Sequence, residues 1–363
     1  MFKRVQFGLA IVATLSVGVI GAGIASAAVP AIASAAQPTA SAARPTSSLA
    51  SAASGVVPVA VLDGQGTSEG ARPTVEVRVG NSNPVPVLLD TGSSGLHIFD
   101  TAVATGPDSG VTLTTRPSDI TYAGGHRFAG VVGNAVVTLG SHATKGAVAF
   151  AFVERAFCIA SMPTCPASGG IPGFEQSGAY GILGIGTQSS RGGIISPILG
   201  MPGTRGTTWS LHLDGTSGSL ALGAKLPIRR TSTMIQMTQI GTSAGKALWA
   251  DSQLRLCISV GKTSECIPGL FDSGTYTMQI SGPALDQAPT IPGTDHVVAG
   301  TPVSVSESGS AKPFWTFCAG TTKSENLLTV KSDEGPFLNT GVQAFYHFTI
   351  TYDDTTGQIR LSQ

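Results

Sequence analysis

Thr74-Val75-Glu76-Val77-Arg78-Val79 alternates polar and apolar side chains without a break, the period-two signature of a half-buried strand. The turn-forming Gly80-Asn81-Ser82-Asn83-Pro84 follows, and then an apolar run, Val85-Pro86-Val87-Leu88-Leu89, that ends on Asp90. This pattern predicts a β-hairpin that delivers a carboxylate at its far end. Further strands are predicted at Val131–Leu139, Gly146–Val153, Ser219–Leu222, Arg255–Val260 and Phe348–Tyr352. Helix signals are short, at Asp100–Ala104 and Pro283–Gln287. Gly218-Ser219-Leu220-Ala221-Leu222-Gly223 reads as a closing strand, which places a boundary near Gly223 to Arg229. The chain then divides into an N-terminal β lobe, 57–225, and a C-terminal β lobe, 226–363.

The hairpin's acidic end recurs. Asp90-Thr91-Gly92-Ser93 returns as Asp272-Ser273-Gly274-Thr275, 182 positions later (272 − 90), and Pro268-Gly269-Leu270-Phe271 leads into it. One acidic motif per lobe predicts two half-sites that meet at the seam, where ligand sites are common. Two carboxylates brought together there can activate water.

Composition narrows the partners. Lys+Arg 21 balances Asp+Glu 21, so no basic excess is available for the phosphates of a nucleic acid. Charged residues at 12% and 47 glycines fit a β-rich, turn-rich chain. No C-x-x-C occurs and the six histidines are scattered, so neither a metal nor another cofactor is expected.

Residues 1–27 read as an export signal: Lys3 and Arg4 open it, Val5 to Ile24 are largely apolar, and Ala25-Ser26-Ala27 is a small-x-small cleavage site. The membrane is a partner only if that segment stays uncleaved. Residues 28–56, rich in Ala, Ser, Pro and Thr, read as a disordered tether. A secreted or cell-envelope location follows, and a monomer is expected. Cys158 and Cys165 are seven apart and Cys257 and Cys266 nine apart, separations that suit short disulfide-closed loops. Cys318 is left over and reads as a buried free thiol.

The two acidic motifs resemble those of the pepsin-like aspartic proteases. Gly181-Ile182-Leu183-Gly184-Ile185-Gly186 resembles that family's segment behind the first catalytic loop. Ile120-Thr121-Tyr122-Ala123-Gly124-Gly125 resembles its flap, and Phe348 to Leu361 its C-terminal strands. The resemblance runs from residue 70 to 363 and is similar to the secreted bacterial, mycobacterial-type branch. It implies an all-β, bilobal pepsin-like fold with the active site in the inter-lobe cleft. It also implies a secreted aspartic endopeptidase that cuts peptide or protein substrates at acidic pH. Asp90 and Asp272 would share one proton and activate a water between them. Thr91 and Ser273 would lock the loops together, Gly92 and Gly274 allow close approach, and Ser93 and Thr275 hold the outer carboxylate oxygens. Tyr122, with Gly124, would close over substrate, and His97 would accept the tyrosine hydroxyl where the family has an indole.

Two departures stand out. The C-lobe counterpart of the Ile-Leu-Gly segment is altered to Phe337-Leu338-Asn339-Thr340-Gly341, and residues 29–71 hold Arg44 but no lysine, unlike a basic propeptide. Two rival readings follow. A catalytically inactive binding protein could use the same fold. A serine hydrolase has one foothold, Gly241-Thr242-Ser243-Ala244-Gly245, which would need a strand before it and a helix after it.

Overall fold

The computed structural model describes residues 55–62, 72–190, 193–223, 232–320, 327–332 and 334–363. The export signal, the tether as far as residue 54, residues 63–71 and the boundary segment 224–229 lie outside the described residues. Among the described residues no helix is long and apolar enough to cross a membrane.

The chain is all-β and bilobal. The alternation read at Thr74–Val79 becomes the strand Arg72–Val79, with Val75, Val77 and Val79 in the core and Glu76 and Arg78 exposed. It pairs antiparallel with Val85–Asp90, Val75 opposite Val87 and Val77 opposite Val85, so the core faces of both strands coincide. Val131–Leu139 is two strands, His126–Ala135 and Val137–Leu139, divided at the exposed Val136. The helix signals become single 3₁₀ turns at Asp100–Ala102 and Leu285–Gln287. Two short α-helices, Gly170–Glu175 and Gln343–His347, carried no periodic signal because each is too brief to show one.

Each acidic motif sits in the same local knot of strands. In the first, Val85–Asp90 runs parallel to Gly181–Ile185, which is antiparallel to Ser94–Phe99. In the second, Thr263–Leu270 runs parallel to Phe337–Asn339, which is antiparallel to Met278–Ser281. The registers match: Ile182 pairs with His97, seven past Asp90 (90 + 7), and Asn339 with Gln279, seven past Asp272 (272 + 7). The altered segment therefore keeps the supporting strand, and the correspondence sets Asn339-Thr340-Gly341 on Ile182-Leu183-Gly184. Gly341 remains for a steric reason: its φ is +63° and a Cβ would lie 2.5 Å from Thr277 O.

The C-terminal strands Thr349–Asp353 and Gln358–Ser362 leave the second lobe and join the first lobe's sheet through Thr208–Asp214. A continuous core follows that seam, where the Trp209 and Tyr352 rings stack 5.8 Å apart. A smaller core of Phe99, Phe128, Phe174 and Ile171 supports the hairpin that carries Ile120 and Tyr122.

Candidate active site

Asp90 closes its strand and Asp272 lies two residues beyond Leu270, and both line an open cleft of about 1110 Å³. Each is held from within its own turn. Gly92 N–H donates to Asp90 Oδ1 at 2.7 Å and the Ser93 hydroxyl to Oδ2 at 2.5 Å. Gly274 N–H donates to Asp272 Oδ1 at 2.8 Å and the Thr275 hydroxyl to Oδ2 at 2.7 Å. A Cβ on Gly92 would lie 2.6 Å from Asp272 Oδ1, and one on Gly274 would lie 2.6 Å from Asp90 Oδ1. Only glycine lets each turn pass that close to the opposite carboxyl. The two carboxyls converge on one point: the same Gly274 Cβ would lie 3.2 Å from Asp272 Oδ1. Burial, then the Asp272 charge, pushes Asp90 well above the ordinary carboxylate range, against the donors Ser93 and Gly92.

Four reciprocal hydrogen bonds tie the turns together. The Thr91 hydroxyl donates to Phe271 O at 2.7 Å and accepts from Ser273 N–H at 2.9 Å. The Ser273 hydroxyl donates to Leu89 O at 2.7 Å and accepts from Thr91 N–H at 3.1 Å. Each hydroxyl is thus satisfied as both donor and acceptor, in a site almost without water access (Thr91 is 2% exposed and Ser273 1%).

Tyr122 begins a tight turn in which Gly125 N–H donates to Tyr122 O at 2.9 Å and Tyr122 N–H to His126 O at 3.0 Å. Gly124 forms the exposed tip, and Gly125 takes the left-handed φ of +78°. The Tyr122 ring stacks on His126 at 4.7 Å and meets Phe128 edge-on at 5.4 Å. His97 approaches Tyr122 edge-on at 6.1 Å, and its Nδ1 has no hydrogen-bond partner. Burial lowers His97 to about 4. Its ring packs against Tyr122, where burial favours the neutral form.

Residues 56–358 match the family described as PE-PGRS C-terminal aspartyl peptidase-like domain. The chain belongs to this family. Its structure is also similar to the crystal structure of aspartic proteinase from Irpex lacteus, with a TM-score of 0.56 and 18% identity. That likeness covers 85% of this chain and 97% of that chain, and at such identity it is a likeness of fold. No curated protein matches the chain.

For a peptidase-like member of this family, the site holds side chains the sequence did not single out. Asn339 donates through Nδ2 to Asp272 Oδ2 at 2.6 Å and to the Thr275 hydroxyl oxygen at 3.3 Å. Setting the altered segment on Ile182-Leu183-Gly184 by its glycine would have placed this polar residue behind Asp272. Asp251 is buried and accepts from Thr187 N–H at 2.5 Å, the Thr187 hydroxyl at 2.9 Å and Gln188 Nε2 at 2.6 Å. Burial still raises its carboxyl, against those donors. It joins positions 64 apart, which no local signal could reveal.

The sulfurs of Cys158 and Cys165, and of Cys257 and Cys266, are at bonding distance, 2.15 and 1.90 Å. Cys318 is exposed, not buried: it ends an edge strand, Trp315–Cys318, whose alternation turns it outward. Ser243 sits at a tight hairpin between Gln239–Ser243 and Lys246–Trp249, with Ala244 and Gly245 at positive φ. A strand follows where a nucleophile elbow requires a helix.

Proposed function

We propose that this protein is a secreted aspartic endopeptidase that hydrolyses peptide bonds in the cleft holding Asp90 and Asp272. The single observation that carries the reading is the convergence of the two carboxyls in one cleft, held by matched turns and reciprocal hydroxyl bridges. A pair sharing one proton is acid and base at once. The ionised member takes a proton from water as the water oxygen attacks the peptide carbon, and the protonated member gives its proton to the carbonyl oxygen. The resulting diol collapses when the first carboxyl passes its proton to the departing nitrogen and the second recovers its own from a diol hydroxyl. Tyr122 and Gly124, above the cleft, would cover the substrate and exclude water. The cleft takes an extended peptide, and its lining of Leu88, Ile120, Phe174 and Phe337 favours apolar side chains beside the cut.

Secretion is supported by the signal-like N-terminus and by two disulfides, which suit an oxidising compartment. A mixed peptide library incubated with the purified protein between about pH 3 and 6 tests the proposal, since such a dyad holds one proton there. Cleavage that pepstatin, the inhibitor of pepsin-like enzymes, blocks is the expected result. Asp90→Asn should reduce kcat by about 10³-fold or more. Undiminished cleavage by that variant sinks the assignment, and no cleavage by wild type favours the inactive binding protein.

A further inference from the structure

Within its own turn each carboxyl is held by the same pair of donors, and the two half-sites differ in what stands behind them. Asp90 Oδ2 accepts from Ser93, as Asp272 Oδ2 accepts from Thr275. Asp272 Oδ2 accepts a second donor, Asn339 Nδ2, at 2.6 Å. At the corresponding place in the first lobe stands Ile182, which has nothing to donate. The orientation of the Asn339 amide is set by its other end. Gly341 N–H donates to Asn339 Oδ1 at 2.9 Å, and a backbone N–H can only donate, so the NH₂ end must face the carboxylate. Asn339 is also 7% exposed, so water does not compete for the contact.

We propose that Asn339 is a positioning residue that assigns the shared proton: its amide holds Asp272 as the ionised member and leaves the proton on Asp90. The inference rests on the peptidase reading for its catalytic meaning, though not for its geometry. A donor to a carboxylate favours the charged form, because the N–H dipole is aimed at the negative oxygen. Only Asp272 receives the extra donor, so an asymmetry within an otherwise symmetric pair follows. Asp272 is then the base that takes the proton from water, and Asp90 the acid that protonates the carbonyl oxygen. The upward push that burial and the Asp272 charge give Asp90 acts in the same direction.

Other groups face the dyad without supplying a comparable bias. Tyr122 from the flap and Tyr352 from the C-terminal strand are both pushed well above the ordinary phenol range by burial, so both remain neutral donors. Arg72, His126, Asp251, Tyr276, Glu334 and the Lys331–Asp295 ion pair lie along the cleft walls.

Asn339→Leu keeps the side-chain shape, restores an apolar residue and removes the donor. The acidic limb of the kcat/KM–pH profile reports the first ionisation of the dyad in the free enzyme. That limb should move up by about one pH unit, the size expected for one hydrogen bond to a buried charge, so kcat/KM on the limb falls about tenfold. The alkaline limb should move less. A folded Asn339→Leu enzyme with the wild-type acidic limb overturns the proposal. Should that variant fail to fold, the sequence-assigned carboxyl ¹³C resonances of wild type decide, because they titrate whether or not peptide is cleaved. Asp272 ionising first supports the assignment, and Asp90 ionising first overturns it. Wild type that cleaves nothing sinks the peptidase reading, while the carboxyl titration still judges the place of the proton.

Discussion

At the scale of single residues, the site depends on hydroxyls more than on charges. Thr91 and Ser273 join segments 182 positions apart, and every donor and acceptor they hold is buried. Thr91→Val preserves the shape but strands Ser273 N–H and leaves Phe271 O only the longer bond from the Tyr352 hydroxyl at 3.3 Å. A destabilisation of about 2–4 kcal/mol is expected, since unsatisfied buried polar groups bear their full desolvation cost. Thr91→Ser retains the hydroxyl and should stay within about 1 kcal/mol of wild type. Urea unfolding measures both, and equal losses in the two variants would exclude the hydrogen bonds as the cause. Ser93 and Thr275 were legible as carboxylate partners because each lies three residues beyond its acid, within one turn. Asn339 was not, because 67 residues separate it from Asp272 and only strand pairing brings them together.

Among the elements, the flap is the one whose setting is unusual. The loop closed by Cys158 and Cys165 folds over its tip: Ile159 N–H donates to Gly125 O at 2.8 Å. Met162 packs against the tip so closely that a Cβ on Gly125 would lie 2.6 Å from its own Cβ. The disulfide holds this loop in place, and the loop holds the turn that carries Tyr122. Cys158→Ser should therefore release the flap while leaving the two acidic turns intact. Amide exchange at Gly125 and Ile159 should quicken by about tenfold or more, because local opening no longer works against the cross-link. KM should rise with little change in kcat. Unchanged exchange at both amides would show that the loop's packing alone is enough. The strand-turn-strand form of the flap was readable from its glycines, but the brace was not, since a seven-residue spacing of cysteines says nothing of what the loop touches.

For the whole molecule, two opposing sets of buried groups govern the response to pH. Burial raises Asp90 and Asp251, and raises Asp354 to about 6. Each binds its proton more tightly folded than unfolded, so its contribution is full below about 4 and is lost as pH rises through the folded value. Burial lowers His97 and His126 to about 4. Their contribution is full above about 6.5 and is lost as pH falls through about 4, because only the unfolded chain is protonated in between. Asp354→Asn should flatten the fall in Tm between about pH 4 and 7. His126→Phe, which keeps the ring against Tyr122 and removes two nitrogens that have no hydrogen-bond partner, should raise Tm near pH 4.5 and change it little near pH 7.5. Calorimetry across that range checks both, and parallel shifts at all pH values would assign the effects to packing instead.

What the sequence by itself determined is local: the alternation of Thr74–Val79, the turn after it, and two acid-hydroxyl-glycine turns with their own outer hydrogen bonds. Such features need only neighbours within a few residues, so composition and order suffice to write them. The family resemblance extended this to a two-lobed β-fold with a cleft. Tertiary structure decided the rest, because it lay in pairings between distant strands. The parallel register of Thr263–Leu270 with Phe337–Asn339 turned an altered segment into a second donor on Asp272. The reach of the Cys158–Cys165 loop placed a brace on the flap, and edge-strand geometry turned Cys318 outward. A linear order of residues specifies which contacts are possible; only the folded chain makes one carboxylate of a matched pair unlike the other.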